Sequence, residues 1–278
     1  MMRETLSVKQ SVLQNSNGKP QHATCSNTRI PYHEVAMWQS EIAYYRTRFP
    51  EYAPVLDIAE AVLREQDALA EEQRSRASPV TVPDLLAAAG RLAAIYPDGP
   101  ALAAALREAL TGDAAAQADP LVWARDLVRG RMPAAVAGLD AFMAALLVPY
   151  YDGLRLPNIV VPDAPTAVCS ACGGPPLMAR FRQEDGATVL GCAFCRSEWL
   201  YPRTVCPGCG VDDPAAQRFF YVEGDRGHRV NVCDRCGIYI KAADERVMGR
   251  AVALPVEDVV TGHLDLLAAE AGYRRIGV

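Results

Sequence analysis

The chain is predicted to be α+β: an N-terminal all-α helical domain, then two tandem four-cysteine modules of rubredoxin-like or zinc-ribbon type, then a C-terminal helix. Three observations carry this reading. Eight of the nine cysteines lie between residues 169 and 236, as four Cys-x-x-Cys pairs. Residues 32–153 are dominated by Ala and Leu and broken by proline, with no strand-favouring runs. From Pro255 onward, apolar residues return to helical spacing.

The elements follow in chain order. Residues 1–31 are polar and aperiodic and read as a disordered tail, in which Cys25 is a spectator thiol. His33–Arg48 is a helical segment that stops at Phe49-Pro50. Glu51–Arg76 reads as one long helix burying Val55, Ile58, Val62 and Leu63. Thr81-Val82-Pro83-Asp84 starts the next helix, with Thr81 or Asp84 as the cap beside a first-turn proline. Ala101–Thr111, Pro120–Arg129 and Pro133–Tyr150 complete about six helices, and Trp38, Tyr44, Tyr45 and Trp123 are expected in their core. This domain of residues 32–153 offers no catalytic constellation. Residues 154–168 hold prolines among β-branched residues and read as a linker or extended strap.

The cysteine region is a duplication. Cys169-x-x-Cys172 is followed by a strand-like run, an Asp185-Gly186 turn, a second run and Cys192-x-x-Cys195. Cys206-x-x-Cys209 is followed by the same parts, ending in Cys233-x-x-Cys236. The modules span residues 169–204 and 205–254, and the closing helix residues 255–278, with Val256, Val260, Leu264 and Leu267 on one face. A Cys-x-x-Cys turn presents two thiolates to one ion, and two such knuckles make a tetrahedral site. Within the modules 19 and 23 residues separate the pairs, but only 10 separate the modules, too few for strand, turn and strand. Cys169, Cys172, Cys192 and Cys195 are therefore expected on one ion, and Cys206, Cys209, Cys233 and Cys236 on another. Two metal ions per chain are expected, Fe of rubredoxin type or Zn. Gly173, Gly210 and Gly237 follow three of the pairs and can take positive φ. The fourth pair has Arg196 there, so its turn is expected to differ.

A four-sulfur site leaves no open position for water, which disfavours hydrolytic zinc catalysis, and with no catalytic constellation elsewhere no enzyme activity is expected. The ions would staple a region too small for its own core, and their loss would melt the ribbons and spare the helices. His228 reads as a solvated strand residue. Net charge is −5 and no basic stripe flanks the ribbons, which disfavours nucleic acid as a partner. No run approaches the ~18 apolar residues of a membrane helix, so no membrane insertion is expected. The polar N-terminus lacks the apolar stretch of a secretory signal, so the expected location is cytoplasmic. Self-association into a homodimer is compatible with the sequence.

Five stretches together resemble the formate dehydrogenase accessory protein FdhE family, across residues 169–275. They are Cys169-x-x-Cys172-Gly-x-Pro-Pro, Cys192-x-x-Cys195-x-x-Glu198-Trp199, Arg203-x-x-Cys206-x-x-Cys209, Cys233-Asp-x-Cys236-x-x-Tyr239-Ile240-Lys241 and Asp265-Leu-Leu-x-x-Glu270-Ala-Gly-Tyr273-Arg-Arg. Leu200 departs from the resemblance, standing where a histidine is expected. The resemblance implies a cytoplasmic, chaperone-like maturation factor. Such a factor binds the catalytic subunit of a respiratory formate dehydrogenase before export by the twin-arginine route, and its cysteine pairs hold rubredoxin-like iron.

Client binding is expected from Glu198, Trp199, Arg203, Tyr239 and Lys241, a polar and aromatic set held close to metal knuckles. On the competing view Trp199 and Tyr239 shield the sulfurs and Glu198 pairs with Arg203. The alternative functions are a rubredoxin-like electron-transfer protein and a zinc-ribbon nucleic-acid-binding module. No Gly-x-Gly-x-x-Gly loop is present to serve a nicotinamide partner of the first.

Overall fold

The computed structural model describes residues 8–12, 30–31, 38–111, 119–128, 138–156 and 158–277. Cys25 and His33 lie outside these residues. Among the described residues the N-terminal lobe holds six helices: α1 (Trp38–Arg48), α2 (Ala53–Arg74), α3 (Val82–Ala93), α4 (Gly99–Thr111), α5 (Pro120–Val128) and α6 (Leu139–Tyr151). The hub is α6. It is apolar on all sides, burying Leu139, Phe142, Met143, Leu146 and Leu147, and α2, α3, α4 and α5 pack around it. At the start of α3 Thr81 and Asp84 form a reciprocal capping box, so both candidate residues act together.

The buried face of α2 differs from the expected one. Leu56, Ala59, Val62, Leu63, Gln66 and Leu69 are buried, whereas Val55 is exposed and Ile58 half-buried. The reason is tertiary: α2 is held by α6 on one side and by a C-terminal helix on the other. Of the four aromatics expected in the core, Tyr45 alone is fully buried, Trp38 and Trp123 are half-buried, and Tyr44 is exposed beneath the Arg250 guanidinium at 4.1 Å.

Among the described residues ten strands follow in chain order: β1 (Val8–Val12), β2 (Ile30–Pro31), β3 (Asn158–Ile159), β4 (Pro176–Phe181), β5 (Thr188–Cys192), β6 (Glu198–Leu200), β7 (Gln217–Val222), β8 (His228–Cys233), β9 (Ile238–Asp244) and β10 (Arg274–Arg275). The expected disordered tail thus contributes β1, which pairs antiparallel with β7, and β2, which pairs with β3 from the expected linker. Both hairpins predicted from the turn residues are present, as β4–β5 and β7–β8.

The two ribbons are not beads on a string. They merge into one eight-stranded sheet of order β1-β7-β8-β9-β4-β5-β6, with β10 beside β9. The seam is the parallel pair β4–β9, in register Ala179↔Ala242 and Phe181↔Asp244.

The closing segment is also divided. A short α7 (Glu245–Met248) is followed by α8 (Leu254–Val260) and α9 (Gly262–Glu270), where one helix is predicted. The break falls at Thr261, whose hydroxyl bonds back to the Glu257 carbonyl at 2.6 Å, before Gly262. The break lets α8 lie on α2 and β4 while α9 lies on β8 and β9. One apolar core joins helices and first ribbon: Leu85, Leu106, Leu146, Phe181, Phe194 and Trp199 belong to a single cluster.

Candidate metal centres

Each Cys-x-x-Cys turn is closed in a similar way. The first cysteine's N–H donates to the carbonyl five residues on, at 2.9 Å for Cys169→Gly174, 2.8 Å for Cys192→Ser197 and 2.9 Å for Cys206→Val211. In the fourth turn Gly237 N–H donates back to the Cys233 carbonyl at 2.8 Å. Gly173, Gly210 and Gly237 take φ of +70°, +70° and +68°. Arg196 takes φ +57°, so the turn without glycine does not differ as expected: an arginine adopts the left-handed conformation glycine supplies elsewhere. The surroundings hold it there, with Arg196 Nη2 donating to Gln66 Oε1 at 2.7 Å and Nη1 3.3 Å from Asp67 Oδ1, both on α2.

The eight thiols gather in the predicted sets. Cys169, Cys172, Cys192 and Cys195 form one group and Cys206, Cys209, Cys233 and Cys236 the other, with all sulfurs in a group within 4.8 Å of one another. Cross-pair sulfur distances are 3.6 Å (Cys169–Cys195), 3.4 Å (Cys172–Cys192), 3.7 Å (Cys206–Cys236) and 3.8 Å (Cys209–Cys233). A disulfide needs about 2.05 Å. An ion with metal–sulfur bonds of about 2.3 Å spaces its tetrahedral ligands roughly 3.8 Å apart. The thiols therefore fit one tetrahedral ion per group.

Backbone N–H groups point at the sulfurs, Gly174 N to Cys172 Sγ at 3.3 Å, Phe194 N to Cys192 Sγ at 3.4 Å and Gly208 N to Cys206 Sγ at 3.3 Å, and such donors favour the thiolate. A glycine that the sequence reading passed over matters here. A Cβ at Gly174 would lie 2.9 Å from Cys192 Sγ and 2.8 Å from the Phe194 ring. The second of the paired glycines in Cys-Gly-Gly is thus the signal for close approach of the two knuckles.

The two centres differ in environment. All four cysteines of the first are buried, beneath Phe194, whose ring stacks on Tyr151 of α6 at 5.6 Å. In the second, Cys206 and Cys233 are buried, Cys236 is half-buried and Cys209 is exposed.

Four of the five residues nominated for client binding are internal. Glu198, Trp199, Tyr239 and Lys241 are 4%, 3%, 5% and 1% exposed, and only Arg203 is exposed. Glu198 does not pair with Arg203. It accepts from Arg180 at 2.8 Å, and Arg180 also binds Glu245 at 2.8 Å, two carboxylates that outweigh burial and raise its guanidinium. Trp199 Nε1 donates to the Thr166 carbonyl at 2.8 Å. Tyr239 donates to Asp265 at 2.8 Å, and Lys241 binds Asp258 at 2.9 Å and Asp265 at 2.6 Å, with Arg275 paired to Asp258 behind it. Tyr239 and Lys241 thus clamp the sheet to α8 and α9, Glu198 is tied within the sheet, and Trp199 holds the segment before β4, so none of the four forms a surface.

His228 is likewise not solvated. It is buried, donates from Nδ1 to Asp225 at 2.7 Å and from Nε2 to Glu257 at 2.5 Å, and Tyr45 of α1 donates to the same Glu257 oxygen at 2.8 Å. Arg250 joins this cluster to Glu41.

Where the helical lobe meets the first ribbon there is an apolar cleft of about 440 Å³, lined among others by Val55, Ile58, Ala144, Pro175, Ala193 and Ile276.

No family model matches the chain. It is 36% identical over 112 residues to an FdhE homolog of Aquifex aeolicus, and 31% identical over 181 residues to one of Pseudomonas aeruginosa. These alignments take in 39% and 61% of this chain, and 39% and 56% of the relatives, so the chain spans about half the length of the curated relatives it matches. The fold is that of the crystal structure of the FdhE protein from Pseudomonas aeruginosa, with TM-score 0.58 and 23% identity over 85% of this chain and 91% of that one. The paired four-cysteine groups, the helical lobe and these likenesses agree, and together they support the FdhE family as the group this chain is similar to.

Proposed function

We propose that the protein is a cytoplasmic accessory factor, chaperone-like and non-catalytic, that binds the catalytic subunit of a respiratory formate dehydrogenase during its maturation. The observation that carries this reading is the pair of closed four-cysteine groups in a chain similar to the FdhE homologs. Four sulfurs around one ion leave no position for a substrate, so the groups suit a scaffold or one-electron chemistry better than hydrolysis. Cys169, Cys172, Cys192 and Cys195 hold one ion in this proposal and Cys206, Cys209, Cys233 and Cys236 the other, either Fe or Zn. The apolar cleft between the helices and the first ribbon gives the lobes' junction an uncovered surface of the kind partners use.

The test is co-purification. The tagged protein, expressed in cells making a formate dehydrogenase, is expected to retain the catalytic subunit and two equivalents of metal per chain. Metal-loaded protein that retains no subunit would overturn the reading. A reversible one-electron couple without any capture would favour electron transfer instead.

A further inference from the structure

One face of the sheet carries two cations with no hydrogen-bonded or ion-paired acid among the described residues. Side chains alternate along each strand. On one side Phe220, Val222, Val230 and Val232 pack with Leu264 and Ala268 of α9. On the other side lie Phe181, Thr188, Phe219, Tyr221, Arg229 and Asn231, linked by the cross-strand pairs Phe181↔Thr188 and Phe219↔Asn231. Three guanidinium carbons converge on the buried Phe181 ring, Arg229 at 4.2 Å from its centroid, Arg203 at 5.1 Å and Arg246 at 6.0 Å. Arg229 also lies 4.6 Å from the Phe219 centroid, and Phe219 stacks on Tyr221. The carboxylate nearby, Asp244, is engaged by Arg246 through two hydrogen bonds of 2.9 and 2.6 Å. Neither Arg203 nor Arg229 has a hydrogen-bonded or ion-paired acid among the described residues.

The buried atoms sharpen the point. Arg229 Nε, Asn231 Oδ1 and Thr188 Oγ1 are enclosed with no hydrogen-bond partner among the described residues, all on this face. Enclosing a donor and an acceptor unpaired is unfavourable, and so is holding like charges together. Burial and the charge of Arg203 bring the Arg229 guanidinium down to about 9. Packing of cations on aromatic rings accounts for one arginine on Phe181. It does not account for two without counter-ions, nor for the unmatched Nε and Oδ1 beside them.

We propose that Arg203 and Arg229 form a carboxylate-binding site for an acidic, extended segment of a partner protein, a proposal that rests on the partner-binding function above. A guanidinium matches a carboxylate in plane and in donor spacing. The Phe219–Tyr221 stack gives such a segment an apolar bed. Of the five residues the sequence nominated for client binding, Arg203 is the exposed one, and this face gives it a role.

The test uses the full-length, metal-loaded protein and a fluorescein-labelled short peptide of alternating Glu and Ser, read by anisotropy. A Gln/Ser peptide and oligo-dT are the comparators. The Glu peptide is expected to bind at least about tenfold more tightly than either comparator, and Arg203→Ala and Arg229→Met are each expected to weaken it about tenfold or more. Arg229→Met keeps an apolar stem on Phe181, so its melting temperature is expected to hold or rise. A fall in melting with peptide binding unchanged would make Arg229 scaffold and overturn the proposal. Tighter binding of oligo-dT would overturn it in favour of a phosphate site. Arg203→Ala, at an exposed position, decides the matter by itself if Arg229→Met does not fold. Capture of the formate dehydrogenase catalytic subunit is measured in parallel. A double variant that loses the peptide but keeps the subunit overturns this site and leaves the function standing. Wild-type protein that binds the peptide but captures no subunit overturns the function and leaves the site standing.

Discussion

Arg196 carries a φ of +57° that three glycines carry at the equivalent turns. A side chain there costs about 1–2 kcal/mol in the left-handed region. Its hydrogen bond to Gln66 and ion pair to Asp67 tie the first metal knuckle to α2 and offset that cost. Replacing Arg196 by Ala keeps the strain and loses the tie, whereas Gly loses both. Arg196→Gly is therefore expected to melt above Arg196→Ala by a few degrees, about 1 kcal/mol, in thermal scans of the metal-loaded protein. The cluster at His228 makes a pH prediction. Burial alone would lower the imidazole, but Asp225 and Glu257 outweigh burial and raise it to about 9. Tyr45 of α1 and His263 of α9 also face it. A raised folded value stabilises fully below the unfolded value near 6.5, and the stability is lost as pH rises through about 9. The stabilisation is on the order of 3 kcal/mol. Glu41, raised to about 9 by burial and Glu257, acts in the same direction. The melting temperature is expected to fall between about pH 7 and pH 9.5, and less steeply in His228→Gln. Equal slopes would remove His228 from the account.

The ribbons are repeats in sequence but unequal elements in the fold. The first shares its core with the helices, through Phe194 on Tyr151 and Cys169, Cys172, Cys192 and Cys195 in the main cluster. The second sits over α9, with Cys209 exposed. Metal binding supplies on the order of 10 kcal/mol to such modules. The sequence-based expectation that the helices survive loss of either metal is therefore revised. Cys206→Ser or Cys209→Ser is expected to lose one equivalent of metal with helical circular dichroism unchanged. Cys172→Ser or Cys192→Ser is expected to lower the melting of the whole chain. A chelator is expected to release one ion quickly and the other slowly. Release of both at one rate, with identical effects of the two variant pairs, would contradict the asymmetry.

The whole molecule is held together across the boundaries that composition suggests. α1 and α2 pack on α8, which in turn packs on β4, and Arg250 links Glu41 of α1 to Glu257 of α8 across the lobes. A fragment of residues 32–153 would expose Tyr151, Leu63 and Val62, which are buried in the chain. It is expected to be aggregation-prone or loosely packed, with weak near-ultraviolet circular dichroism. A fragment with a sharp, cooperative melt would show that the lobes fold independently. The same joining explains which residues the sequence reading misplaced. Glu198, Trp199, Tyr239 and Lys241 stand beside metal knuckles in the sequence, as surface anchors would. Their partners Arg180, Thr166, Asp265 and Asp258 lie on other elements, so nothing local marked them as internal.

What the sequence determined by itself was everything encoded at short range. Four Cys-x-x-Cys pairs, the turn glycines and the spacing of 19, 23 and 10 residues specify two four-cysteine groups and their hairpins. Ala- and Leu-rich runs between prolines specify six helices, and Thr81 with Asp84 specifies a cap. Only the tertiary structure decided the parallel β4–β9 seam, the break of the C-terminal helix at Thr261, the left-handed turn at Arg196 and the burial of Lys241. The physical reason is common to all four. Each depends on what a residue meets after the chain has closed on itself, and neither propensity nor periodicity carries information about a partner on a distant element.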